Sequence, residues 1–67
     1  MIAMNAAVIT ARQHYEEGLW YLAAGKRKPT YQEQIHYAAE ASARFAAGQL
    51  VLAIAAAERQ ATEESQR

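Results

Sequence analysis

The stretch "AAGKRKPTYQE", residues 23–33, holds the only proline of the chain, Pro29, and it decides how the chain can be organised. Proline has no amide proton to give a helix interior and its ring clashes with the preceding turn, so no long helix runs through it. Gly25, ahead of it, suits the position just past a helix end, where positive φ is common and a proline often follows. Thr30, after it, opens a T-x-x-E pattern with Glu33. The threonine hydroxyl can accept from the Glu33 amide while the glutamate reaches back to Thr30, a capping box. The spacing predicts one helix over residues 3–25, a corner at 26–30, a second helix over 31–62 and a frayed polar tail at 63–67. So short a connection makes the two helices antiparallel. The expected fold is a single all-α domain, an antiparallel two-helix hairpin.

Sixty-seven residues lie near the lower size limit for independent folding. There is no cysteine, which removes disulfide staples and thiolate metal sites. Small domains without such staples gain stability from oligomerisation or from very regular helix packing. Seven basic residues balance seven acidic ones, which speaks against a general nucleic-acid binder. The run "FAAGQLVLAIAAA", residues 45–57, carries one polar side chain, Gln49. It falls short of the roughly 20 apolar residues a membrane span needs, and Arg44 and Glu58 bracket it. Neither a membrane span nor a secretory leader is expected.

On the first helix Met4, Val8, Ala11, Tyr15, Leu19 and Leu22 recur at spacings of three or four, a stripe expected to face the second helix. Ile9 and Trp20 share a second face, roughly opposite. The second helix carries two stripes. One runs through Tyr31, Ile35, Phe45 and Leu52, the other through Ala43, Leu50, Ile54 and Ala57, and Glu33, Glu40, Arg44 and Glu58 fall on the remaining side. One hairpin partner covers only one of the two stripes.

If Gly25 and Thr30 flank the corner, residue n of the first helix lies beside residue 55 − n of the second. Ala55–Ala57 then extend past the first helix without cover, in an overhang of about 10 Å. A second copy, completing a homodimeric four-helix bundle, is the expected solution. Ile9, Trp20, Ala43, Leu50, Ile54 and Ala57 are the residues expected to carry that association. Gly48 offers a competing break in the second helix, but no proline or turn cluster accompanies it, so close helix contact is its expected role.

Chemistry is sparse. Glu33 and His36 form E-x-x-H, the i, i+3 spacing with which carboxylate-bridged metal sites project ligands from one helix face. A metal-binding half-bundle using these two residues is the alternative reading, although both lie off the main stripe and further ligands would have to come from another chain. Ser42 and Ser65 have no histidine and carboxylate arranged around them, no glycine-rich phosphate loop is present, and two helices offer few concavities. The chain is expected not to be an enzyme and to need no cofactor. Lys26, Arg27 and Lys28 offer a weak phosphate contact, but they also complement the negative end of the first helix. Nucleic acid is therefore a disfavoured partner.

The segments "ARQHYEEGLWYL" and "AEASARFAAGQLVLAIAAA", covering most of residues 11–57, resemble small helical proteins of unknown function encoded by phages of actinobacteria. That resemblance implies a bacterial cytoplasmic setting during infection, with a host or phage protein as the partner. It brings no active-site residue to this chain.

Overall fold

The computed structural model describes residues 4–66, with only the backbone of Met4. Two helices make up the element order, α1 (Met4–Gly25) and α2 (Tyr31–Ser65), packed side by side and antiparallel. The expected helix start at residue 3 and the last tail residue, 67, lie outside the described residues. Thr30 caps α2 as its sequence position foretold: its backbone is extended (φ −110°, ψ 148°) and its Oγ1 accepts from the Glu33 amide at 3.1 Å. Glu33 closes the box differently from expectation. Its carboxylate accepts from the Thr30 hydroxyl at 3.0 Å instead of reaching the Thr30 amide.

Two local expectations are corrected. Gly25 is the last residue of α1 and has no positive φ. Tight backbone bonds end the helix instead, with the Arg27 amide donating to Ala24 O and the Lys28 amide to Gly25 O, both at 3.1 Å. The polar tail does not fray at 63. Thr62 and Ser65 hydroxyls donate to the carbonyls four residues earlier, and Arg59 pairs with Glu63, so the last turns hold their helical form. Helix α2 runs unbroken through Gly48, which is buried.

The seam between the helices is the principal surprise. On α1 it consists of Ala7, Ala11, His14, Gly18, Tyr21 and Gly25; on α2 of Tyr37, Ala41, Arg44, Gly48, Val51 and Ala55. Both sets step 4-3-4-3-4, the 3.5-residue repeat of a left-handed supercoil. Every seventh residue is small: Ala11, Gly18 and Gly25 on one helix, Ala41, Gly48 and Ala55 on the other. Small positions receive larger neighbours. A Cβ on Gly25 would lie 2.8 Å from the Tyr37 Cβ, and one on Gly48 would lie 3.2 Å from the Ala11 carbonyl oxygen. A Cβ on Gly18 would run into the Phe45 ring.

Of the described side chains in the stripe expected to face α2, only Ala11 lies in the seam. Val8, Tyr15, Leu19 and Leu22 sit one residue later, about 100° round the helix, and all four are exposed. Register changes as well. Gly25 meets Tyr37 and Gly48 meets His14, so paired residue numbers sum to about 62 rather than 55. The corner climbs about 9 Å beyond Gly25 before α2 begins, braced by Gln34 Nε2 donating to Lys28 O at 3.0 Å. Ala55 is consequently level with Ala7 and buried, not overhanging. The part of α2 that runs past Met4 is Arg59–Ser65.

The seam's tightness has a measurable consequence. Alanine has a helix propensity about 1 kcal/mol better than glycine, yet Gly25→Ala will lower the melting midpoint in circular dichroism. The Tyr37 Cβ is fixed to the backbone and cannot yield, and overpacking of this kind costs about 1–3 kcal/mol. A higher midpoint would mean the helices lie further apart than described.

Candidate protein interface

A seam of alanines and glycines leaves the large apolar side chains outside. The buried apolar residues are Ala7, Ala41 and Ala55, and no large side chain is fully buried among the described residues. Eleven large apolar side chains are 37–75% exposed. Their placement follows from helix geometry. In an antiparallel pair, the residues one step after each seam position fall on the same side of both helices.

That side carries Val8, Tyr15, Leu19 and Leu22 from α1, and Ile35, Phe45 and Leu52 from α2. Contacts confirm the grouping: the Tyr15 and Phe45 rings lie 5.5 Å apart, tilted by 42°. Two shallow open grooves line the same side. One is bounded by Ala11, Tyr15, Phe45, Gln49 and Leu52 around Gly48, the other by Leu22, Lys26, Gln34 and Ala38 beside Gly25. A glycine lines each groove, Gly48 the first and Gly25 the second. Charges on this side, over the paired length of the helices, are confined to the outer edges at Arg12 and Lys26.

The opposite side is built otherwise. Trp20, Leu50, Ile54, Ala43 and Ala57 lie there, and Ile9 lies on the outer back of α1; all six residues expected to carry association are exposed. A polar centre divides the apolar members of this side. Arg44, expected on the side of α2 away from both apolar stripes, sits half-buried in the seam and reaches Glu17 on α1 at 3.4 Å. Its guanidinium lies 5.6 Å from the Tyr21 ring centroid. A hydrogen bond with Tyr21 and, less strongly, the Glu17 carboxylate hold its pKa above the ordinary arginine value. Glu58, expected on that same side, is partly buried and continues the seam's spacing beyond Ala55.

Towards the corner, aromatic rings step across the seam. Trp20 meets Tyr21 edge-on at 5.1 Å, Tyr21 meets Tyr37 at 5.8 Å, and Lys28 lies over the Tyr37 ring at 4.8 Å. The two His-Tyr dipeptides are thus not equivalent. In the first the histidine, His14, enters the seam; in the second the tyrosine, Tyr37, does. His14 Nδ1 and Arg44 Nε are buried without a hydrogen-bond partner. Polar atoms of that kind destabilise the seam that contains them.

The metal reading gains nothing from this geometry. The Glu33 carboxylate is engaged by Thr30, His36 packs edge-on against Tyr37 at 6.0 Å, and no group of three or more potential ligands is assembled among the described residues. No helix among the described residues is long and apolar enough to cross a membrane. No family model, curated protein or solved structure matches the chain.

Arg44 separates packing from charge. Glu17→Gln will cost no more than about 1 kcal/mol, because both partners of the pair remain substantially exposed. Arg44→Ala will cost more, because its aliphatic stem fills the seam. Urea denaturation of both variants at low and high salt checks this; the Glu17→Gln loss should largely vanish as salt rises, whereas most of the Arg44→Ala loss should persist.

Proposed function

We propose that this chain is a non-enzymatic protein–protein interaction module: a helical hairpin that self-associates into a four-helix bundle and presents its remaining surface to another protein. One observation carries the reading. Eleven large apolar side chains lie exposed outside the seam, so the hairpin on its own has helices in contact but almost no hydrophobic core.

Shape supports it. The extents are 57 × 16 × 11 Å, two helices wide and one helix thick. Domains bury their apolar faces by packing at least two layers, and this molecule has one. Its radius of gyration is 16.0 Å, against about 11 Å for a compact chain of this length. Catalysis would need a desolvated concavity with positioned acid–base or nucleophilic groups. The two grooves are open and mainly apolar, which suits the reception of side chains from another helix. On the resemblance to small phage-encoded helical proteins, the setting we propose is the bacterial cytoplasm during infection, with a host or phage protein as the further partner.

Light scattering coupled to size exclusion tests the reading directly. At micromolar concentration the mass should be about twice the 7.4 kDa of one chain, and the melting midpoint should rise with protein concentration. A single-chain mass with full helicity and a concentration-independent melt would refute it.

A further inference from the structure

We propose that the second copy covers the Tyr15–Phe45 side, and that a twofold axis parallel to the helices lays α1 of each chain along α2 of the other. This rests on the self-association proposed above and specifies its face and geometry.

The choice of face follows from where charge lies. Interface cores are depleted of charged residues, which collect at the rim. The Tyr15–Phe45 side has uncharged residues along its whole middle and keeps Arg12 and Lys26 at its edges. The Trp20–Leu50 side has the Glu17–Arg44 pair and Glu40 at its centre. Covering that side would desolvate three charged groups with no new partner supplied.

The amount of surface agrees with a second copy as occupant. The hairpin exposes 5181 Å². A compact monomer of its mass exposes about 4200 Å², so the excess is about 1000 Å². A standard protein–protein interface removes roughly 800 Å² from each partner. Covering one flat side therefore brings the chain to the surface area of an ordinary compact protein.

The axis follows from register and charge. A twofold parallel to the helices permits no sliding, so each level of one chain meets the same level of the other. With paired numbers summing to about 62, Leu52, Gln49, Phe45, Ser42, Ala38 and Ile35 lie at the levels of residues 10, 13, 17, 20, 24 and 27 of α1. The outward residues of α1 are at 8, 12, 15, 19, 22 and 26. The two rows alternate along their whole length, so side chains of α1 fall between those of the partner's α2 and can enter its glycine-lined grooves. Arg12 comes beside Gln49 of the partner subunit. The other closed arrangement sets α1 on α1 with the axis across the helices. Centring its Tyr15 and Leu22 then brings Arg12 against Lys26 of the partner subunit twice, two like-charge contacts.

The chain has no cysteine, so engineered thiols report without background. Leu19 and Ser42 project from the two outer flanks of one chain's face, diverging from each other and beyond disulfide reach. In the proposed bundle Leu19 of one chain and Ser42 of the other are level and adjacent. The experiment oxidises three proteins under native conditions: L19C/S42C, L19C alone, and Q13C/L50C on the opposite side, each checked for wild-type helicity. The expected result is a covalent dimer from L19C/S42C only, on a non-reducing gel. Efficient dimerisation of L19C alone would establish the α1-on-α1 arrangement and overturn the proposed axis. Dimerisation of Q13C/L50C without L19C/S42C would move the interface to the Trp20 side and overturn the proposed face. In both cases a wild-type mass of two chains leaves self-association standing. A wild-type mass of one chain removes self-association itself and leaves the face for a different occupant.

Discussion

Everything in this hairpin depends on how closely two helices approach through glycine and alanine. At Gly25, Gly48 and Gly18 the facing chain comes so near that no side chain could be accommodated without displacement. Such contact gains dispersion energy from backbone atoms and the stems of Tyr37 and His14. It also sets the register, because a one-residue slide would drive a larger residue into each glycine position. Close approach has a geometric corollary. With small residues between the helices, there is no room in the seam for Leu, Ile, Phe or Trp, and these must lie to either side.

That corollary links the seam to function. A helix pair joined by leucines hides its greasy surface inside and can remain alone. A helix pair joined by glycines is a flat plate with two sides, and the burial that large apolar groups provide is still outstanding. The two sides of the plate differ in the place of charge, with edges charged on one and the centre charged on the other. The first has the charge distribution of an interface core, and the second has charged groups at its middle beside the exposed Trp20. The tyrosine-rich corner fits this division. Tyr21 and Tyr37 fill the wide end of the seam, and Arg44 spans from seam to surface with its charge met by Tyr21 and Glu17.

Much of the fold was legible because its signals are local. Pro29 and the Thr30–Glu33 cap fix where one helix ends and the next begins, and steric and hydrogen-bond rules act there over a few residues. The seam was harder to read for a physical reason. Periodicity weights residues by size, so Val8, Tyr15, Leu19 and Leu22 outshone their smaller neighbours. Alanine occurs all round both helices and marks no stripe. One signal was available: Gly18 and Gly25 are seven apart, two turns on one face, in a helix where each glycine costs about 1 kcal/mol. Repeated expense of that kind points to backbone contact. The register escapes local rules because the corner does not turn at once but climbs along the axis, held by Gln34 and Lys28. The exposure of Ile9, Trp20, Leu50 and Ile54 was legible, since none of them falls on the seam under either register.

The displaced seam also changes what the long apolar run near the C-terminal end means. Under the simpler register, residues 55–57 would be an uncovered end, and a second chain would be needed chiefly as a lid over it. Under the actual register Ala55 is level with Ala7 and buried, so the exposed apolar surface is lateral and runs the length of the molecule. An end offers only a small patch to a partner; a side of this length has room for another helix pair. The proposed second layer thus rests on the glycines themselves, because the same spacing that draws the helices together leaves the leucines, Phe45 and Trp20 on their flanks.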